Sequence, residues 1–254
     1  MTLLKTRLNK VLKTTGLILI ASTLVACQGD SSAETEKKAT DIVSSQVTQV
    51  EKAASTPVKY TPRPAADFST LDDSKYTNTA EQLSVAGGEV VEVTELFWFG
   101  CGHCFNLERP LKSWLNTKPA NAKFTKVPAI FSKRWEFHAK AFYTMKALNV
   151  EERVYDDFFT LLHVKRKPVN TVNALAAFLA NYGKDQKTVE NAFNSFAVDS
   201  QVRNAIKITK QSGARGVPAL IVDGKYLTSQ SDAGGTVEMF DVIDKLIAKV
   251  AAER

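Results

Sequence analysis

Leu96-Phe97-Trp98-Phe99-Gly100-Cys101-Gly102-His103-Cys104 runs four large apolar side chains straight into two cysteines two residues apart. A short apolar run of this kind, preceded by Glu89 to Glu95, predicts a buried strand over 89–99. From Phe105 onward Leu107, Leu111, Trp114 and Leu115 recur at helical spacing, with Pro110 inside the run as an expected kink. The two thiols therefore fall on the first turn of a helix at the end of a strand. Unsatisfied N–H groups and the partial positive charge of a helix N-terminus stabilise a thiolate at Cys101, and His103 acts in the same direction. A lowered thiol pKa makes a cysteine a good leaving group, and a Cys101–Cys104 pair at this spacing can open and close a disulfide reversibly.

Two other readings of the pair stay open at this point. Structural zinc needs four ligands, and without a second CxxC only His103, His138 and His163 remain to supply them. An inert structural disulfide is the other. His138 and His163 have no partner at motif spacing and are expected to pack or to face solvent, as is the Lys165-Arg166-Lys167 loop tip. Trp98 and Phe99 are expected in the core, or at the edge of a peptide-binding surface.

Outward from the pair, the N-terminus is the next informative stretch. Lys5, Arg7, Lys10 and Lys13 precede the apolar run Gly16 to Ala21, and Leu24-Val25-Ala26-Cys27 follows. The run is too short for a permanent membrane span and has the layout of a secretory signal over 1–26. Its last four residues resemble a bacterial lipobox, which implies cleavage before Cys27 and lipidation of that thiol. A free thiol on a tail would exchange with an active CxxC, whereas a thioether cannot. From Gln28 to Ala66 the chain is rich in Ser, Thr, Ala, Glu and Lys and ends in three prolines. It lacks the apolar residues to fold alone and is expected to be a flexible tether with a mean reach of about 35 Å.

The 254 residues carry 33 basic and 27 acidic side chains, a formal charge of +6. Removal of the signal leaves 29 against 27, a nearly neutral protein without a basic stripe. Nucleic acid is not an expected partner. Three cysteines are too few for a disulfide framework, so chemistry must account for them.

Further along, Lys75 to Thr77 is expected as an edge strand and Lys123 to Val127 as a strand reached by a parallel crossover. A helical block follows: Trp135, His138, Phe142, Met145 and Leu148 share one face, and Val154, Phe158, Leu161 and Leu162 another. Thr171 to Tyr182, Thr188 to Phe196 and Ser200 to Ser212 are further helices, with Gly183 and Gly213 as stops. Ala219 to Val222 and Lys225 to Leu227 flank Asp223-Gly224, a two-residue hairpin signal. The chain closes in an amphipathic helix with Val237, Phe240, Ile243, Leu246, Ile247 and Val250 on its apolar face.

Strand, CxxC, kinked helix, strand, helical block, Val-Pro turn, hairpin and final helix together resemble the DsbA family. The resemblance implies an α/β, thioredoxin-like fold over 67–130 and 201–254 with an inserted all-helical domain over 131–200, and a periplasmic enzyme that introduces disulfides into exported proteins. Gly216-Val217-Pro218 matches the family's loop in which the proline is cis and faces the active pair. Glu95 and Lys126 fall where the family keeps an acidic and a basic residue beneath the disulfide, as a proton relay to Cys104. Gly102 departs from the family's usual proline between the cysteines. The implied partners are unfolded proteins with cysteine pairs and a quinone-linked, DsbB-type membrane oxidase. No cofactor and no metal are expected, and the protein is expected to be a monomer held by the lipid on Cys27 at the inner rather than the outer membrane. A periplasmic reductase or isomerase, and a tethered peptide-binding or chaperone-like module, are the rival readings.

Overall fold

The structure, a computed structural model, describes residues 63–81, 83 and 88–254. The signal, Cys27 and most of the expected tether lie outside the described residues. Among the described residues five strands form one mixed sheet: β1 (Thr77–Asn78), β2 (Val91–Phe97), β3 (Ala122–Pro128), β4 (Ala219–Val222) and β5 (Tyr226–Ser229), in the order β1-β5-β4-β2-β3. β2 pairs with β3 in parallel and with β4 antiparallel, so the strand leading to the cysteines lies inside the sheet. The edge strand begins two residues later than its sequence suggests, because Asp73–Lys75 forms a 3-10 turn capped by the Asp72 carboxylate. At the hairpin, Asp223 and Gly224 take φ of 54° and 63°, the left-handed pair that a two-residue turn between twisted strands requires.

Helices cover both faces. On one, α1 (Gly102–Leu115) and the final helix α8 (Thr236–Ala252) bury Leu107, Leu111, Trp114, Ile243, Leu246 and Ile247 against Val91, Val93, Leu220 and Val222. Trp114 Nε1 donates to Asp244 at 2.8 Å, which ties α1 to α8 through a buried hydrogen bond. Val237, expected on the apolar face of α8, is instead 78 % exposed: it lies on the first turn, before that face reaches the sheet.

Between β3 and β4 run α2 (Lys133–Ala147), α3 (Glu151–His163), α4 (Val172–Ala180), α5 (Gln186–Phe193) and α6 (Phe196–Ser212), followed after the hairpin by the single turn α7 (Gln230–Ala233). Their core gathers Phe142, Met145, Val154, Phe158, Phe159, Leu175 and Leu179 around Phe97, Phe99 and Cys104. The block thus packs directly on the end of β2. α6 starts at Phe196 rather than Ser200, capped by the Ser195 hydroxyl, and runs unbroken through the expected boundary at 200/201. Ile208 on α6 and Val217 lie against the other face of the sheet with Leu96, Ala219 and Ile221, so one helix serves both the inserted block and the sheet.

Candidate active site

β2 ends at Phe97, and the chain turns at once: the Cys101 N–H donates to the Trp98 carbonyl at 2.9 Å. Cys101 then caps α1 in an extended conformation, φ −92° and ψ 117°, with Sγ accepting from the Cys104 N–H at 3.2 Å. The thiol takes the place that serine or aspartate fills in other helix caps. It faces the loop before β4, where the Val217-Pro218 bond is cis and the Cys101 thiol reaches the Val217 carbonyl at 3.4 Å. The expected opposition of Pro218 loop and CxxC is therefore present. Both cysteines are free thiols, so this geometry is that of the reduced pair.

The two thiols are unlike. Cys101 is half-buried, and its pKa falls to about 6: the Cys104 thiol hydrogen bond is the largest cause, joined by the N–H groups of Cys104 and His103 and the His103 charge, against the opposing effect of desolvation. Cys104 is fully buried, and desolvation together with its hydrogen bond to Cys101 pushes it far up. Gly102 is exposed, with open space where a side chain would project.

Beneath the pair, β2 and β3 bring Glu95 directly opposite Lys126, the two positions that the family resemblance singles out. The ion pair between them is loose, Nζ to Oε2 at 3.5 Å. Lys126 makes its close contacts to Glu108 instead, at 2.8 and 2.9 Å to the two carboxylate oxygens. Tyr155 from α3 donates to Glu108 Oε1 at 2.9 Å, and its ring lies 3.9 Å from Nζ. Neither Glu95 oxygen has a hydrogen-bond partner among the described residues. One ammonium thus serves two carboxylates, and the one left underserved is the more buried. Burial raises the Glu95 pKa to about 7, with Lys126 opposing and Glu108 adding to the rise. A carboxyl of that pKa can take up or release a proton near neutral pH, beside a Cys101 whose charge raises it and a Cys104 that its own charge helps keep protonated.

Glu108 and Tyr155 escape a sequence reading that looks only for the pair on the strands. Glu108 did carry a signal: four residues after Cys104, it shares the buried face of α1. Tyr155 carried none. His163, expected to pack or face solvent, contacts the Phe99 carbonyl through Nε2 at 2.7 Å and stacks on Phe105, bracing the strand end and α1 from the inserted block. His138 is buried, as one of its expectations had it, with Nε2 on the Val169 carbonyl at 3.2 Å. Desolvation lowers its pKa to about 4 and keeps it neutral. Among the described residues no cluster of His, Cys, Asp or Glu is suited to hold a metal, and no helix is long and apolar enough to cross a membrane.

Residues 92–244 match the DSBA-like thioredoxin domain. The chain belongs to that family. Curated relatives include the thiol:disulfide interchange protein DsbA of Pseudomonas aeruginosa, 34 % identical over 178 residues that span 70 % of this chain and 84 % of the relative. DsbA of Azotobacter vinelandii is 35 % identical over 68 % of this chain and 81 % of its own. The crystal structure of Pseudomonas aeruginosa DsbA aligns with a TM-score of 0.66 over 71 % of this chain and 95 % of that one. The fold is accordingly thioredoxin-like with a helical insertion, and the protein is a thiol:disulfide oxidoreductase that introduces disulfides, as the resemblance implied.

Proposed function

We propose that Cys101 and Cys104 are the reacting pair, and that the protein oxidises cysteine pairs of newly exported proteins in the periplasm. In the oxidised state the two sulfurs share a disulfide. A substrate thiolate attacks Cys101 Sγ, the Cys101–Cys104 bond breaks, and Cys104 leaves with the electron pair and takes a proton. Glu95 is the donor for that proton, with Lys126, Glu108 and Tyr155 setting its affinity. A second substrate thiolate then attacks its own mixed-disulfide sulfur and releases Cys101 as a thiolate, leaving the substrate oxidised and this protein reduced. The Val217 and Pro218 backbone flanks the substrate chain during the exchange.

The observation that carries this reading is the inequality of the thiols. Stabilising one thiolate in the reduced form, with Cys101 near pKa 6, favours reduction of the disulfide and so makes the protein an oxidant. A quinone-linked, DsbB-type membrane protein returns the electrons. A lipid on Cys27 holds the monomer beside the inner membrane on the tether ahead of residue 67, and the helical block over 131–200 is the inserted domain, with α6 shared between it and the second thioredoxin part. Equilibration of the protein with glutathione redox buffers tests the oxidant reading. A potential more oxidising than that of glutathione, and a mixed disulfide trapped at Cys101 when Cys104 is replaced by Ala, are the expected results. A thioredoxin-like, reducing potential would make it a reductase, and a chain that forms no mixed disulfide would be a binding module with a structural disulfide.

A further inference from the structure

Beside the CxxC loop, between the start of α2 and the segment after α3, lies a pocket of about 350 Å³ whose polar groups the disulfide exchange does not use. Trp98 forms one wall. Its ring lies against the loop, since a Cβ built on Gly100 would come within 2.3 Å of it, and it stacks on Trp135 at 4.4 Å and 7°. Leu162 and Pro168 line other parts of the wall. The Trp98 Nε1–H is buried and has no acceptor among the described residues, and neither has the buried Nδ1 of His138, also in the wall, any partner. Arg134 and Arg166 stand exposed at the same pocket, and neither makes an ion pair or hydrogen bond within the described residues. Phe131, 45 % exposed, leans edge-on against Trp135 and extends the aromatic surface.

Unpaired buried donors and acceptors are costly and rare, so two in one wall specify what a ligand must bring. Trp98 Nε1–H and the guanidinium groups call for an anionic, planar acceptor, which a carboxylate supplies. His138 donates through Nε2 to Val169 and is neutral, which leaves Nδ1 as an acceptor in need of an N–H. An acidic residue within a polypeptide carries both: the side-chain carboxylate and a main-chain N–H. We propose that this pocket is a subsite for an aspartate or glutamate near the reacting cysteine of the substrate polypeptide. The subsite selects among thiol substrates by charge, and it rests on the exchange at Cys101 proposed above.

The test uses the full-length protein and short peptides with one cysteine and one Glu, placed at each of the four positions on either side, against Gln counterparts. Mixed-disulfide formation with the oxidised protein is followed by stopped flow, and succinate is titrated separately while tryptophan fluorescence is read. At the favoured position the Glu peptide should react roughly fivefold to tenfold faster than its Gln counterpart at low salt. In the double variant R134Q/R166Q that ratio should fall to about one, and Trp98→Phe should reduce it while preserving an aromatic wall. Equal rates for Glu and Gln peptides at every position overturn the proposal while leaving the exchange reaction intact. A response to succinate without any peptide preference overturns the assignment to a polypeptide and points to a small carboxylate. A protein that exchanges with no peptide and is indifferent to succinate refutes both the subsite and the exchange on which it rests.

Discussion

The Tyr155 hydroxyl donates to Glu108 Oε1 at 2.9 Å, joining the inserted helical block to the helix that begins at the reactive cysteines. Glu108 in turn holds Lys126, and Lys126 is thereby drawn away from Glu95. Tyr155→Phe keeps the ring beneath the ammonium and removes one hydrogen bond to a charged group. Loss of about 1–2 kcal/mol in urea unfolding is expected. An unchanged unfolding midpoint would mean that the hydroxyl does not hold Glu108.

Glu95 carries a pKa raised from 4.5 to about 7 by burial. A carboxyl raised in the folded state binds its proton more tightly folded than unfolded, so stability falls as pH climbs from about 4.5 to 7 and stays reduced above. Glu95→Gln removes that cost. The variant should match the parent below pH 4.5 and exceed it at pH 8 by on the order of 3 kcal/mol. Parallel pH–stability curves for the two proteins would contradict the raised pKa.

Cys101 has the opposite sign. Its pKa is depressed from 9.0 to about 6, so the stability it lends the reduced protein is fully present above pH 9 and disappears as pH falls through 6. Thiolate absorbance of the reduced protein at 240 nm should rise by one thiolate with a midpoint near 6, and Cys101→Ser should abolish the rise. Cys104, pushed up by burial, should stay protonated through that window and weaken the folded state only once unfolded cysteines ionise above about pH 9. Two thiolates appearing below pH 8 would contradict the asymmetry.

Gly102 is the first residue of α1, with open space at its Cβ position and a preceding residue in the extended conformation that proline requires of its neighbour. Gly102→Pro should therefore be accommodated and should stabilise the fold by about 0.5–1 kcal/mol through the unfolded chain. Thermal unfolding of the two reduced proteins measures it, and a lowered Tm would show that the glycine is needed for its freedom.

Cys27→Ser should release the protein from the membrane fraction of the bacterium that makes it, because one lipidated cysteine at the tail carries the proposed anchor. Retention in that fraction would refute the lipid.

The sequence by itself determined that two thiols sit where a buried strand becomes a helix. Strand and helix periodicities are local properties of the chain, and Leu96 to Cys104 contains both. The left-handed turn at Asp223-Gly224 was legible for the same reason, since the two turn residues alone select it, whereas the pairing of Glu95 with Lys126 across two strands came only from the resemblance to the family. Only the tertiary structure decided which carboxylate holds the lysine. Glu95 and Lys126 meet across two strands, but Glu108 arrives from α1 and Tyr155 from α3, and a charge takes the partner with the better hydrogen-bond geometry, whatever its distance in sequence. The approach of the Val217 carbonyl to Cys101, 116 residues apart, and the stacking of Trp98 on Trp135 depend likewise on packing between remote segments, which no local spacing encodes.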